Sequence, residues 1–518
     1  MELEFPDLNL VPMAAGKSLN YWCTWGAQNV AWMEGLDHVE PREIEGAAGA
    51  ARARASLNEE FLLGKQGWAR RFFQRARGDL YIVLDDGWDA PPSGSMVDHL
   101  SSMILQPARF PSFQQGSPAR RLRSLNDAVK AAGWRGIGLW LPANESGPYM
   151  DEHPDMEPEG YWRERLEWSR EAGIEYWKVD WGLFARNHDF RRMLTRLGKE
   201  IHPALTIEHS VGTGMFNNPG GRVDPMWIKE VSEQTTYSSV VRLYDVSPQL
   251  AIPTMLDRVQ SVLKATPHVP GHDCWLNVED EAYIGAALGC TFGILRHPPI
   301  DKPRFPSHDG ARDSKHRIVE IERAVNWQRI APAFPAGIGT IQASDDVLVD
   351  SYTFNEGETW DRSVIGKKVE QAAPAVIARN MGLPRVKKAW NGDVPFVVSA
   401  RNPNGAISIA ALGRMSVEQG FHCPLPVVDV PIDDISGPIG IFGKFKEITF
   451  SCTAPTRDFR SCTIWVQDLA DTDAMNATSM MLVEKRSICI TGGLINEAGS
   501  IAAVSDDESD PAIVLFVE

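Results

Sequence analysis

The stretch IEYWKVDWG, residues 174–182, is apolar apart from Glu175 until Lys178 and Asp180, and it closes on Trp181-Gly182. A short apolar run bounded by glycine reads as a buried strand, here with charge at its end. Immediately upstream, PEGYWRERLEWSREAG (158–173) has helical spacing and a glycine stop. Downstream, DFRRMLTRLGKEI (189–201) is helical again and LTIEHS (205–210) is the next strand. The alternation continues in both directions. Strands are predicted at LNYWCTWG (19–26), DLYIVLDD (79–86), GIGLWLPA (136–143), SSVVRLYDV (238–246), HVPGHDCW (268–275) and TFGILRHPP (291–299). Helices are predicted at ARRLRSLNDAVKAAG (119–133) and PTMLDRVQSVLKA (253–265). Eight strands within roughly 280 residues, mostly separated by helices, predict parallel βαβ units closed into a (β/α)8 TIM barrel. A doubly wound open sheet is the second option. No G-x-G-x-x-G follows the first strand, which argues against its dinucleotide-binding form.

After residue 330 the texture changes. VLVDSYTF, VPFVVSA, GAISIAAL, IGIFGKFKEITFSC and AIVLFVE are short, rich in β-branched residues and separated by Gly, Asn, Asp and Pro. That pattern predicts an all-β region, a sandwich. The expected organisation is a catalytic barrel over 1–330, a β-sandwich over 331–425, and a β-rich segment over 426–518. This last segment either forms its own module or completes the same C-terminal domain.

Lys and Arg number 52 against 68 Asp and Glu in 518 residues, a formal net charge of −16. Nucleic acid and anionic membranes select clustered positive charge, so neither is an expected partner. Seven cysteines without a C-x-x-C pair predict neither a disulfide framework nor a cysteine zinc site. The start, MELEFPDLNLVPMAAGK, lacks the basic and apolar segments of a leader. A cytoplasmic location is therefore the expectation, and a secreted mature chain would look the same. No apolar run reaches membrane-spanning length. The 17 tryptophans lie mostly before residue 330. Each offers a flat face suited to a sugar ring as well as to a core.

In a barrel of this kind the working residues stand at the C-terminal strand ends. The predicted ends carry Asp85-Asp86-Gly87-Trp88, Lys178 with Asp180 and Trp181, Glu208, Arg242 with Asp245, and Asp273. Any one of these aspartates serves equally well as a helix cap. Their recurrence at five strands is what points to a site. Carboxylates in pairs are what glycosidic bond chemistry requires. Asp180 and Asp245 fall on strands four and six, whose Cα atoms should be about 10 Å apart. Inward-leaning side chains then bring the carboxyls near the roughly 5–5.5 Å of retaining glycosidases. Lys178, on the same side of its strand as Asp180, is expected to keep that carboxylate ionised. Asp245 must hold a proton to act as acid, which Arg242 opposes.

At these motifs the chain resembles glycoside hydrolase clan D, the α-galactosidase-like group of families 27 and 36, over roughly residues 18–300. LNYWCTWGAQN resembles its first-strand segment, YIVLDDGW its paired-aspartate motif, GLWLPANE its family 36 third-strand segment and WKVDWG its K-x-D nucleophile motif. GGRVD (220–224) is similar to a glycine-rich stretch after strand five, RLYDVSPQLAIPTMLDRVQ to the acid/base segment, and PGHDCWLN to the strand-seven segment. The resemblance implies Asp180 as nucleophile and Asp245 as acid/base. It implies that Asp85, Asp86 and Lys178 bind sugar hydroxyls, together with Arg242 or, in another register, Arg258. Trp25 and Trp181 would line the sugar subsite. Trp88, Glu208 and Asp273 complete the set of expected substrate-binding residues.

The implied activity is a retaining exo-α-glycosidase, hydrolysing a terminal α-linked sugar through a covalent glycosyl-aspartate. Related specificities, a β-L-arabinopyranosidase or an α-N-acetylgalactosaminidase, stay open. So does a non-catalytic carbohydrate-binding protein on a degenerate barrel. A carbohydrate is the expected partner, no metal or organic cofactor is called for, and homo-oligomerisation is left open.

Overall fold

The computed structural model describes residues 8–33, 46–89, 102–144, 157–298, 317–356, 358–359, 361–387 and 393–518. Glu145 of the GLWLPANE motif lies outside them. Eight parallel strands run β1 (Tyr21–Cys23), β2 (Tyr81–Leu84), β3 (Gly136–Leu141), β4 (Tyr176–Val179), β5 (Thr206–His209), β6 (Val240–Arg242), β7 (Trp275–Asn277) and β8 (Gly293–Ile294). Neighbours in sequence are neighbours in the sheet, and β1 also pairs with β8. A parallel bridge between Asn277 and Thr291 closes the ring. The barrel predicted from the alternating pattern is therefore the observed fold.

The helical predictions map onto Pro118–Ala131, Pro158–Ala172, His188–Ile201 and Ala251–Ala265. Local chemistry sets their limits. Ser117 caps the first by accepting from the Arg120 amide, with Pro118 at the first helical position. Gly173, at φ +65°, ends the second in a left-handed turn.

Two-residue alternation sorts each strand into inward and outward faces. On β1 and β4, Trp22 and Trp177 face the helical layer, whereas Tyr21, Cys23 and Tyr176 belong to a separate cluster with Tyr81, Val83 and Trp140 inside the ring. Tyr176 packs in tilted contact against Tyr21 and Tyr81 at 5.2 and 5.5 Å between centroids, forming an aromatic floor. Lys178 and then Asp180 continue the same inward row above it.

The strand predicted at 268–275 is displaced. His268–Asp273 is irregular, with a turn at Pro270-Gly271 where Gly271 has φ +75°, and β7 begins only at Trp275. Asp273 therefore precedes the strand, exposed at the opposite end of the barrel from Asp180. The Pro-Gly pair at 270–271 favours that turn over a strand.

Beyond the barrel, an eight-stranded sheet runs from Met475–Asn476 at one edge to Ile341–Ala343 at the other. A five-stranded sheet contains Val427–Ile432, Glu447–Cys452 and Ser487–Thr491. The larger sheet joins strands from both sides of residue 425, for example Ile407–Leu412 to Ile439–Phe442. Strands Val427–Ile432 and Glu447–Cys452 bury alternate residues, whereas Ile407–Leu412 and Ile439–Phe442 are buried throughout. The difference follows from position, because the larger sheet is covered on both faces. One face meets the smaller sheet through Ile409, Ile441, Val430 and Phe450, and the other meets the barrel, where Phe442 touches Tyr283 and Trp327. Arg323, on the barrel-side helix Val319–Ile330, adds a two-pronged ion pair to Asp468 at 2.9 and 2.8 Å.

Candidate active site

The site is organised around one guanidinium. Arg242 ends β6 pointing into the ring and is 1% exposed. Its Nη2 donates to Asp180 Oδ1 and, at 3.2 Å, to Ser210 Oγ. Its Nη1 donates to Asp245 Oδ1 at 2.8 Å and to Glu279 Oε1 at 2.7 Å. Nε faces Glu208 at 3.7 Å. All terminal hydrogens of the fork are thus engaged by protein groups. Arg242 stands under the carboxylates as their common scaffold, where the sequence suggested a sugar ligand.

Asp180 follows β4 at the mouth. Besides Arg242, it accepts from Trp140 Nε1 at 3.0 Å and Ser210 Oγ at 3.2 Å. Burial alone would raise its carboxyl, but Arg242 and then Lys178, with the indole and hydroxyl donors, hold it below the ordinary carboxylate range. The ionised state expected from Lys178 is therefore owed first to Arg242. Lys178 itself pairs with Asp85 at 2.9 Å and touches Cys23 Sγ at 3.5 Å. Burial is the largest effect and works against its charge, yet Asp85 together with Cys23 and Asp180 holds the ammonium well above its ordinary range.

The backbone beneath these groups is stapled by two arginines that sequence reasoning did not assign there. Arg191, from helix His188–Ile201, donates to the carbonyls of Val179 (3.1 Å), Asp180 (2.9 Å) and Ser210 (2.5 Å), locking the ends of β4 and β5. Arg258, from helix Ala251–Ala265, donates to the carbonyls of Leu243 and Gly214 at 3.1 and 2.7 Å and to Asn217 Oδ1 at 3.0 Å. Arg258 is thus a backbone clamp for the loop that carries Asp245, and Arg242 is the arginine of the carboxylate cluster. Each interrupts the apolar face of an otherwise amphipathic helix, which was the available signal.

The other sequence-derived candidates divide. Trp25 and Trp181 are half-buried and border the inner cluster, with Trp181 5.5 Å from Trp140. Asp86, next to Asp85, is turned to Arg54 at 2.8 Å. Glu208 is fully buried below Arg242, accepting from Tyr21 (2.9 Å), Tyr176 (2.8 Å) and Asn277 (2.6 Å). Trp88 is fully buried in the helical-side core, its Nε1 on the Trp140 carbonyl at 3.0 Å. Neither Glu208 nor Trp88 faces the mouth, because each saturates a packing role elsewhere. Asp273 is at the far end, as described.

Glu279 was missed. It lies two residues beyond β7, is 1% exposed, and has a left-handed backbone at φ +54°. The displaced strand-seven prediction hid it, since correct placement puts Glu279 at the strand end. Among the described residues, no group of three or more His, Cys, Asp or Glu is arranged to hold a metal ion, and no helix is long and apolar enough to cross a membrane.

Chemically, the arrangement offers an ionised carboxylate (Asp180), a second, about one-third exposed carboxyl on the same guanidinium (Asp245), and an adjacent charged pair (Asp85, Lys178) able to bind hydroxyls. No family model and no curated protein matches the chain. Among solved structures it is similar to a family 27 β-L-arabinopyranosidase from Geobacillus stearothermophilus, at 10% identity over 98% of this chain and 97% of that one, with a TM-score of 0.41. It is likewise similar to α-galactosidase I from Mortierella vinacea, at 11% identity over 98% of both chains and a TM-score of 0.36. The carboxyl transferase domain of Rhizobium etli pyruvate carboxylase is similar over 55% of this chain and 43% of that one, at 14% identity and a TM-score of 0.28. At such identities and scores, the functional reading rests on the geometry of the site and not on these likenesses.

Proposed function

We propose that the chain is a retaining exo-α-glycosidase acting on terminal α-galactoside-like sugars. The observation that carries this reading is that Asp180 and Asp245 engage the two terminal nitrogens of one guanidinium, Arg242. Both carboxyls are thereby held at one mouth of the barrel. Asp180, kept ionised, attacks the anomeric carbon as the bond to the leaving oxygen breaks, and Asp245 delivers its proton to that oxygen. A glycosyl ester on Asp180 results. Asp245, now a carboxylate, takes a proton from water as the water attacks the same carbon, and the ester bond to Asp180 breaks. The sugar leaves with net retention. Asp85 and Lys178 bind ring hydroxyls, and Trp25 and Trp181 flank the ring. The exo character belongs to the same proposal and is in keeping with the burial of Asp180, 7% exposed.

A panel of nitrophenyl glycosides tests the reading: α-galactoside, α-N-acetylgalactosaminide and β-L-arabinopyranoside. Cleavage of the α-galactoside with retained anomeric configuration, followed by proton NMR, is expected. Sugar binding without turnover of any member would favour a carbohydrate-binding protein, and an inverted first product would overturn the covalent route.

A further inference from the structure

Lys178 and Arg242 pair with or face five carboxyls, Asp85, Asp180, Glu208, Asp245 and Glu279, with the buried Arg258 and Arg191 close by. Arg242 alone faces four of them, Asp180, Glu208, Asp245 and Glu279, and full ionisation of all four around one buried cation is costly, which favours a retained proton. The hydrogen bonds say where. Asp85 has Lys178, Cys23 and the Asp86 amide. Asp180 has Arg242, Trp140 and Ser210. Glu208 has three neutral donors, Tyr21, Tyr176 and Asn277, which with Arg242 oppose the burial that raises its carboxyl above the ordinary range. Asp245 and Glu279 differ from these. Among the described residues, the one side-chain donor to each is the same nitrogen, Nη1 of Arg242, at 2.8 and 2.7 Å.

The backbone is shaped to bring these two together. Tyr244, just before Asp245, and Glu279 both have positive φ, +73° and +54°. Left-handed backbone at non-glycine residues persists only where surrounding contacts enforce it, and it clusters at functional sites. Here Arg258 clamps the first loop through the Leu243 carbonyl, and the Asn277 side chain accepts from the Glu279 amide at 2.8 Å.

We propose that Glu279 is a positioning residue for the general acid, sharing Nη1 of Arg242 with Asp245 so that the two carboxyls hold a single proton between them. The inference rests on the glycosidase reading for its role, but not for the coupling itself. When Asp245 carries the proton, Glu279 is the anion that neutralises Nη1. When Asp245 releases its proton to the leaving oxygen and becomes the anion on Nη1, its later recharging by water restores the first state. The pair's total of one proton is thus recovered in each cycle. The groups facing Glu279 are Arg242 and Asp245 from β6 and its loop, Lys178 and Tyr176 from β4, Glu208 from β5, Tyr21 from β1 and Arg258 from its helix. Burial, opposed by Arg242 and assisted by Asp245, pushes the Glu279 carboxyl up to about 8, so near neutrality the pair's proton rests on Glu279 and reaches Asp245 by transfer within the pair.

The test is a carboxyl-stretch infrared titration of the full-length protein, wild type against Asp245→Asn and Glu279→Gln, together with the pH profile of kcat/KM on nitrophenyl α-galactoside. Removing either member of a coupled pair lowers the upper midpoint, here by roughly one pH unit or more. The basic limb of the Glu279→Gln profile moves to lower pH by the same amount, and Glu279→Asp returns it toward wild type. An upper midpoint unchanged in Asp245→Asn overturns the proposal, as does a folded Glu279→Gln that loses activity evenly with its basic limb unmoved. If the wild type cleaves no glycoside, the hydrolase reading fails, while the infrared comparison still decides the coupling.

Discussion

Asp180 and Asp245 are joined through a single side chain: each accepts from a different terminal nitrogen of Arg242, itself buried at the end of β6. This relationship makes the nucleophile and the acid separable by chemistry. Asp180→Ala is expected to lower kcat by about 10⁴-fold. With azide as external nucleophile it should yield a glycosyl azide of inverted configuration. Asp245→Ala is expected to lose about 10²–10⁴-fold on substrates with poor leaving groups and far less on activated ones, with azide giving the retained product. Product stereochemistry by NMR checks both; an exchange of the two outcomes would reverse the assigned roles.

Asp85 and Lys178 form a pair next to Asp180, and their proposed task is binding. Asp85→Asn should raise KM, with a loss in kcat/KM of about 10–100-fold, the worth of one charged hydrogen bond at roughly 1.5–3 kcal/mol. Lys178→Met should cost more, because it also strips a cation from Asp180, so kcat falls as well. Steady-state kinetics on one nitrophenyl glycoside separates these outcomes. Equal effects on both variants, confined to kcat, would remove the pair from substrate binding.

Glu279 carries a sign in stability. Its folded-state carboxyl stands at about 8, above the ordinary 4.5. A group raised in the folded state contributes stability that is fully present below 4.5 and is lost as pH rises through about 8. Wild type minus Glu279→Gln, compared by urea midpoint across that window, should therefore decline steadily with pH. A flat difference would show that Glu279 ionises in the fold as it does in the unfolded chain.

Arg323 and Asp468 tie the barrel to the β-region through a bidentate pair buried on both sides. Removing one partner strands the other charge, so Arg323→Ala should destabilise by about 3–5 kcal/mol. The double replacement Arg323→Met with Asp468→Leu should recover much of that loss. Calorimetry of the three proteins measures it; additive losses in the double variant would mean that the pair is not coupled.

The strand-and-helix alternation from 19 to 299 was enough to announce the barrel, because period-two and period-3.6 patterning is local and survives without tertiary information. The two-sheet region was legible for the same reason. That its larger sheet is covered on both faces was readable only weakly, from runs such as Ile407–Leu412 that are apolar without alternation. Strand seven was misplaced because HVPGHDCW holds a charged residue where a strand end was expected, although its Pro-Gly step is turn chemistry. That error advanced Asp273 and concealed Glu279.

Sequence by itself determined which of strands two, four, five and six carry acid at their ends and that Asp180, with Lys178 two residues before it, faces into the ring. Only the tertiary structure decided which charges meet. Contacts among β4, β6 and the loop after β7 are set by barrel closure, not by spacing along the chain. It is closure that gathers Asp180, Asp245 and Glu279 onto Arg242, consigns Arg258 and Arg191 to backbone carbonyls, and buries Glu208 beneath them all.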